Sequence, residues 1–131
     1  MITTTDIGNI IYSFCRNRFS DFAIYQHGNI PSGVVNKERI TIFPKSQTAS
    51  GKWIKNFVEV NFCIPNKNGG ANLIRLNKIE SQAFDAFKIV VGNSKGLNYK
   101  FGYESIGQLE DKNLNIFYIN VRVKFQVINI N

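Results

Sequence analysis

The sequence is short of the residue types on which catalytic and metal sites are usually built. It has one histidine, His27, and two cysteines, Cys15 and Cys63. That set lacks the ligand number and spacing of a zinc site. It also lacks the Cys-rich framework of a small secreted scaffold, so two reduced thiols in an intracellular protein are expected. A Cys–His nucleophilic pair needs one thiol beside His27, yet Cys15 falls on an apolar helix face and Cys63 has no basic neighbour in its own strand. Acids are few: nine Asp and Glu against sixteen Lys and Arg. Glu59, Asp85, Glu104 and Glu110 are scattered, with no pairing suited to acid–base work. Gly69-Gly70 lacks the strand, Gly loop and Lys/Ser order of a phosphate cradle. No apolar run approaches the roughly 20 residues that span a bilayer, and Met1 to Asp6 shows no basic segment followed by an apolar core. The expectation is a soluble chain made in the cytoplasm, with no catalytic residues, no cofactor, no metal and no membrane contact.

What is present is patterned for a sheet. From Phe117 to Val127 the odd positions are all apolar, and Asn120, Arg122, Lys124 and Gln126 fill even positions. Period two marks a strand with one buried face. The parity reverses at Ile128 to Asn131, which reads either as a bulge or as a tail leaving the sheet. Lys52 to Ile64 is a second long strand: Val58, Val60, Phe62 and Ile64 point one way, Glu59, Asn61 and Cys63 the other. Leu97 to Gln108 is a third, with Tyr99, Phe101, Tyr103 and Ser105 on one parity. Such aromatics suit RNA stacking, but at alternate strand positions they read as core. Shorter strands are expected near Phe22–Tyr25 and over Glu38–Phe43.

Helical signals frame these strands. Thr3 and Asp6 have the spacing of a capping box, and Ile7, Ile10, Ile11, Phe14 and Cys15 follow at helical spacing to about Arg18 or Phe19. A longer helix is expected from Asn72 to Val91, closed by Gly92, with Leu73, Leu76, Ile79, Ala83, Ala86, Phe87 and Val90 as its stripe. Glu80 interrupts that stripe. Either a capping box at Asn77 and Glu80 starts the helix late, or Glu80 sits at a subunit contact or the stripe's edge. Lys45 to Gly51 is polar and reads as a projecting hairpin loop. Together these elements predict one α+β domain over residues 1–131: an antiparallel sheet of four to five strands with two helices packed on one face.

This order of elements resembles the tail-terminator and tail-completion proteins of long-tailed bacteriophages and prophages. The elements that carry the resemblance are an opening helix at Ile7–Arg18, a hairpin with a projecting loop at Glu38–Ile64, a helix at Asn72–Val91 and a closing hairpin at Tyr99–Ile130. The likeness is topological and covers most of the chain. It implies a structural virion protein, not an enzyme, found in the virion and in the host cytoplasm during assembly. It also implies a ring, commonly hexameric, that caps the tail tube and joins it to head-side connector proteins. DNA passes through such a ring without sequence-specific binding. The net charge of +7 suits an acidic partner, and the alternative is a small basic module binding nucleic acid or a partner protein. Candidate subunit-interface or channel-facing residues are Lys45, Lys52, Trp53, Lys55, Glu80, Arg122 and Lys124.

Overall fold

Thr3 starts the first helix as its spacing to Asp6 implies. Its hydroxyl accepts the Asp6 N–H at 3.1 Å, and the Asp6 carboxylate accepts the Thr3 N–H at 2.8 Å. Two N–H groups that a helix start leaves unpaired are thereby satisfied. Helix α1 runs Thr4–Arg18 and buries Ile7, Ile11 and Cys15, four residues apart, before Phe19 caps it. The computed structural model describes residues 1–128, apart from the Ser50 side chain. The parity reversal noted at Ile128 to Asn131 therefore lies, from Asn129 on, outside the described residues.

Seven strands follow among the described residues: β1 (Ala23–Gln26), β2 (Arg39–Pro44), β3 (Thr48–Ser50), β4 (Trp53–Pro65), β5 (Val90–Ser94), β6 (Leu97–Asp111) and β7 (Ile116–Ile128). Helix α2 (Leu73–Ala86) joins β4 to β5. The order across the sheet is β1-β2-β4-β7-β6-β5, with β3 also on β4. β1 and β2 are parallel; the other pairings are antiparallel. The sheet curls into a half-barrel. The expected antiparallel sheet of four to five strands is thus corrected to a seven-stranded mixed sheet.

Each discrepancy has a physical cause. β1 can run parallel to β2 because residues 27–38 supply the dozen-residue return that parallel pairing needs. The Lys45–Gly51 segment is not a free loop. Past Pro44, Lys45 N–H still donates to Phe57 O at 2.8 Å, and the Asn56 amide donates to Lys45 O. Ser46 and Gln47 then stand opposite Asn56 alone, a bulge, after which β3 pairs with Trp53–Lys55. Gly51, at φ +62, closes that turn. α2 stops at Ala86, not Val91: Phe87 caps it, and Val90 pairs with Phe101 as part of β5. Phe87 and Val90 fit a helical stripe, but periodicity cannot tell a helix end from a following strand. The β5–β6 turn has positive φ at Lys95 (54) and Gly96 (77), as a type I′ hairpin requires. Gly92 therefore lies within β5 and caps no helix.

The start of α2 is also settled. Asn72 Oδ1 accepts the Arg75 N–H at 3.3 Å, so the helix begins at Leu73 and not at Asn77. Leu73 is 63% exposed and leaves the expected stripe. On β6 the parity of Tyr99, Phe101 and Tyr103 breaks at Glu104. Tyr103 pairs with Val123 but Ser105 with Arg122, so Ser105 turns to the opposite face. β7 begins at Ile116, because Asp111 Oδ1 accepts the Leu114 N–H at 3.1 Å and Asn115 adopts φ 59 just before it.

The core lies between the helices and one face of β4 and β7. Val58↔Val123, Val60↔Val121 and Phe62↔Ile119 are register pairs of fully buried residues. Val121, Val123 and Phe125 share one cluster with Ala83 and Phe87, and Val90 packs against it from β5 and not from the helix. Phe87 meets Phe14 edge-on at 5.1 Å between ring centroids and lies 6.4 Å from Phe62. Its carbonyl accepts the Tyr103 N–H at 2.7 Å. A Cβ on Gly102 would collide with the Lys88 carbonyl oxygen, so only glycine lets β6 approach the end of α2 this closely. At the far end of α2, Arg75 Nε and Nη2 hold both Glu38 oxygens at 2.7 Å.

Two tests follow from this packing. Phe87→Ala should lower unfolding free energy by about 3–5 kcal/mol, measured by denaturant titration; a loss below about 1 kcal/mol contradicts the burial described. The second concerns Asp6, whose carboxylate also receives Lys95 Nζ at 2.7 Å. Hydrogen bonding from Lys95, then from the Thr3 N–H, holds the Asp6 carboxyl at about 2 against an ordinary 3.8. The folded value lies below the unfolded one, so this contribution is complete above about pH 4 and is lost as pH falls through about 2. Lys95→Met should raise the Asp6 carboxyl titration towards 3.8 in carbon-detected NMR.

Candidate functional site on the open sheet face

Period-two strands that bury one face leave the other without a helix. On that open face Lys55, Gln126 and Lys100 lie in one row across β4, β7 and β6, and Phe57, Lys124 and Gly102 in the next. Phe43, Glu59, Arg122 and Ser105 make a third. Cations sit over the rings: Lys100 Nζ is 4.7 Å from the Trp53 ring, Arg122 Cζ 4.2 Å from Phe57, and Lys45 Nζ 6.0 Å from Phe43. Such placement is favourable because the ring face carries partial negative charge. Arg122 Nε also meets Glu104 Oε2 at 3.2 Å. Glu59 Oε2, across from Arg122 in register, is buried without a hydrogen-bond partner.

A shallow cavity of about 210 Å³ adjoins this face, with Lys88, Lys100 and Lys124 in its lining and no acid. A second, of about 460 Å³, lies between Trp53, Val91, Tyr99 and Lys100. The arrangement attracts negative charge and offers flat apolar rings beside it.

Six of the seven residues selected from the sequence belong to this region: Lys45, Trp53, Lys55, Arg122 and Lys124 on the face, and Lys52 in the exposed turn beside Trp53. Trp53 stands on the open face, away from the main core. Glu80 is separate. It lies on α2, where its Oε1 accepts from Gln108 Nε2 at 3.4 Å. Lys88 and Lys100 were not selected from the sequence. The polar parity of β6 places Lys100, but Lys88 reaches the face only because α2 ends before it.

At the other end of the open face the segment between β1 and β2 folds over the sheet, and Val35 packs with Cys63 and Ile116. Arg39 pairs with Cys63 in register, so the neighbouring strand supplies the basic group that β4 lacks. Burial still dominates and pushes the Cys63 thiol up, despite Arg39 and Thr41 nearby. Burial alone pushes Cys15 up to about 12. His27 is exposed just after β1. Among the described residues no group of three or more His, Cys, Asp and Glu is placed to hold a metal ion. No described helix is long and apolar enough to cross a membrane.

No protein-family model matches this chain, and no curated protein matches it. Among solved structures, one whose name carries no functional description superposes with a TM-score of 0.54 at 13% identity, covering 94% of this chain and 96% of that one. At that identity the likeness is one of fold.

The thiols give a direct check on this description. Both cysteines are unpaired and buried. A disulfide reagent should find neither in the native protein at neutral pH and both after denaturation without reductant. A fast native thiol, or fewer than two after unfolding, contradicts the placement of Cys15 or Cys63.

Proposed function

We propose that this chain is a ring-forming structural subunit of the kind that caps bacteriophage tail tubes and joins them to the head side of the particle. In this reading it acts in the virion, assembles in the host cytoplasm, and catalyses nothing. The supporting observation is a pair of unlike apolar surfaces at the two ends of α2. Leu73 and Ile74 are 63% and 89% exposed at its start; Ile89 and Val91 are 79% and 74% exposed just beyond its end. The helix separates them by about 20 Å. Ring closure needs two different patches on each subunit that meet head to tail, and exposed apolar pairs are what such contacts bury. The basic face then has a partner in DNA crossing the channel, attracted by charge without reading sequence.

The test uses the asymmetry of such contacts. Ile74→Asp and Ile89→Asp should each abolish rings, seen by light scattering over a wide concentration range and by failure to cap assembled tail tubes. Mixed together, the two variants should form heterodimers through their one intact pair of patches. A wild-type chain that stays monomeric at millimolar concentration and never associates with tubes would rule the ring out.

The second reading, a small basic module for nucleic acid or an acidic partner, has its own observation. Lys88, Lys100 and Lys124 line one cavity, beside rings already attended by cations at 4.2 and 4.7 Å. Binding of single-stranded oligonucleotide by the monomer, weakening steeply with salt and lost in a Lys100→Glu, Lys124→Glu variant, would favour it over the ring.

A further inference from the structure

Among the described residues, Arg39 is the one charged side chain that is buried, at 8% exposed. Its Nη1 donates to the Pro31 carbonyl at 3.3 Å. Its Nε has no hydrogen-bond partner, and Arg39 forms no ion pair among the described residues. A buried guanidinium in that condition is costly unless a counter-charge or further acceptors are supplied. Arg75 shows what that edge of an arginine can hold, since its Nε and Nη2 grip both oxygens of Glu38 at 2.7 Å.

Arg39 lines a cavity of about 160 Å³ with Thr41, Asn61, Cys63, Asp111 and Tyr118. Other donors belong to its lining. Thr41 is 4% exposed, and Tyr118 brings a phenol. Asn61 has its oxygen occupied by Asn120 Nδ2 at 2.7 Å, which leaves its own NH₂ to donate. A cavity of about 150 Å³ holds a benzene molecule, so the occupant is small. Asp111 is the one acid in the lining, and its Oδ1 already accepts the Leu114 N–H at 3.1 Å. One cation beside one acid suits a monoanion better than a phosphate dianion.

We propose that this cavity is a carboxylate site, in which the Arg39 guanidinium takes the carboxylate and the Thr41 and Tyr118 hydroxyls complete its hydrogen bonding. The chemistry is the same whether the carboxylate belongs to a free acid or to an acidic side chain of a docking protein. It is independent of the ring reading, since neither apolar pair at the ends of α2 lines the cavity.

The experiment is a titration with sodium acetate against sodium chloride at fixed ionic strength, followed by the Arg39 Nε–H resonance in ¹⁵N NMR and by thermal unfolding. A saturable shift of that resonance and a rise in melting temperature are expected. The rise in melting temperature should vanish in Arg39→Met, which exchanges a buried charge for an apolar chain of similar length and should remain folded. Arg39→Lys keeps the charge without the planar fork and should weaken binding by about tenfold or more. Asp111→Asn should tighten it by removing the like charge. A Glu-bearing peptide compared with its Gln counterpart separates the sources: tighter binding than acetate assigns a protein carboxylate, and equal or weaker binding a free acid. An Nε–H resonance that does not move, a response that survives in Arg39→Met, or phosphate displacing acetate would each overturn the assignment. Should Arg39→Met unfold, the wild-type titration and Arg39→Lys decide.

Discussion

The fold turns on the place where α2 stops. Phe87 caps the helix, fills the junction of both helices with the sheet, and hands its carbonyl to the Tyr103 N–H at 2.7 Å. Gly102 allows that approach because any side chain there meets the Lys88 carbonyl. The ring of Phe87 sees Phe14 from α1, Phe62 from β4 and Phe101 from β6. Burial of these aromatics supplies area, and the Phe14 and Phe62 contacts add edge-to-face geometry. Only after this junction is set can the chain leave the helix as β5 rather than continue it, and β5 completes the sheet beyond β6.

That termination has consequences on the other side of the sheet. Because the chain turns at Lys88, its ammonium joins Lys100 and Lys124 around one cavity. Because β5 forms the end of the sheet's strand order, Val91 stays exposed and Trp53 gains an apolar neighbour across a shallow hollow. The Glu104 bulge accompanies a carboxylate within 3.2 Å of Arg122. The open face is thus shaped by irregularities in the elements, while the buried face is made by their regular alternation.

Much of the core was legible in the sequence. Strict alternation in β4 and β7, with β-branched and aromatic residues on the buried parity, has one efficient solution, which is adjacent antiparallel strands with those parities aligned. The Thr3–Asp6 capping box and the four-residue spacing of Ile7, Ile11 and Cys15 are equally local. β3, β5 and the bulges were not legible in this way. Thr48–Ser50 is too short to show a period, and Val90 satisfies a helical stripe and a strand alternation alike. The candidate face was legible in part: Lys55, Arg122 and Lys124 follow from strand parity, whereas Lys88 and the buried Arg39 depend on packing.

The amino-acid sequence by itself determined the buried parity of β4 and β7, where α1 begins, and that one sheet face is polar and basic. Those properties rest on period, capping chemistry and charge, all of which act over a few residues. Tertiary structure decided where α2 ends, how many strands the sheet has, which way β1 runs, and which distant cations share a surface. These depend on contacts between residues far apart in the chain, such as Phe87 with Tyr103 and Arg39 with Cys63, whose free energies no local pattern carries.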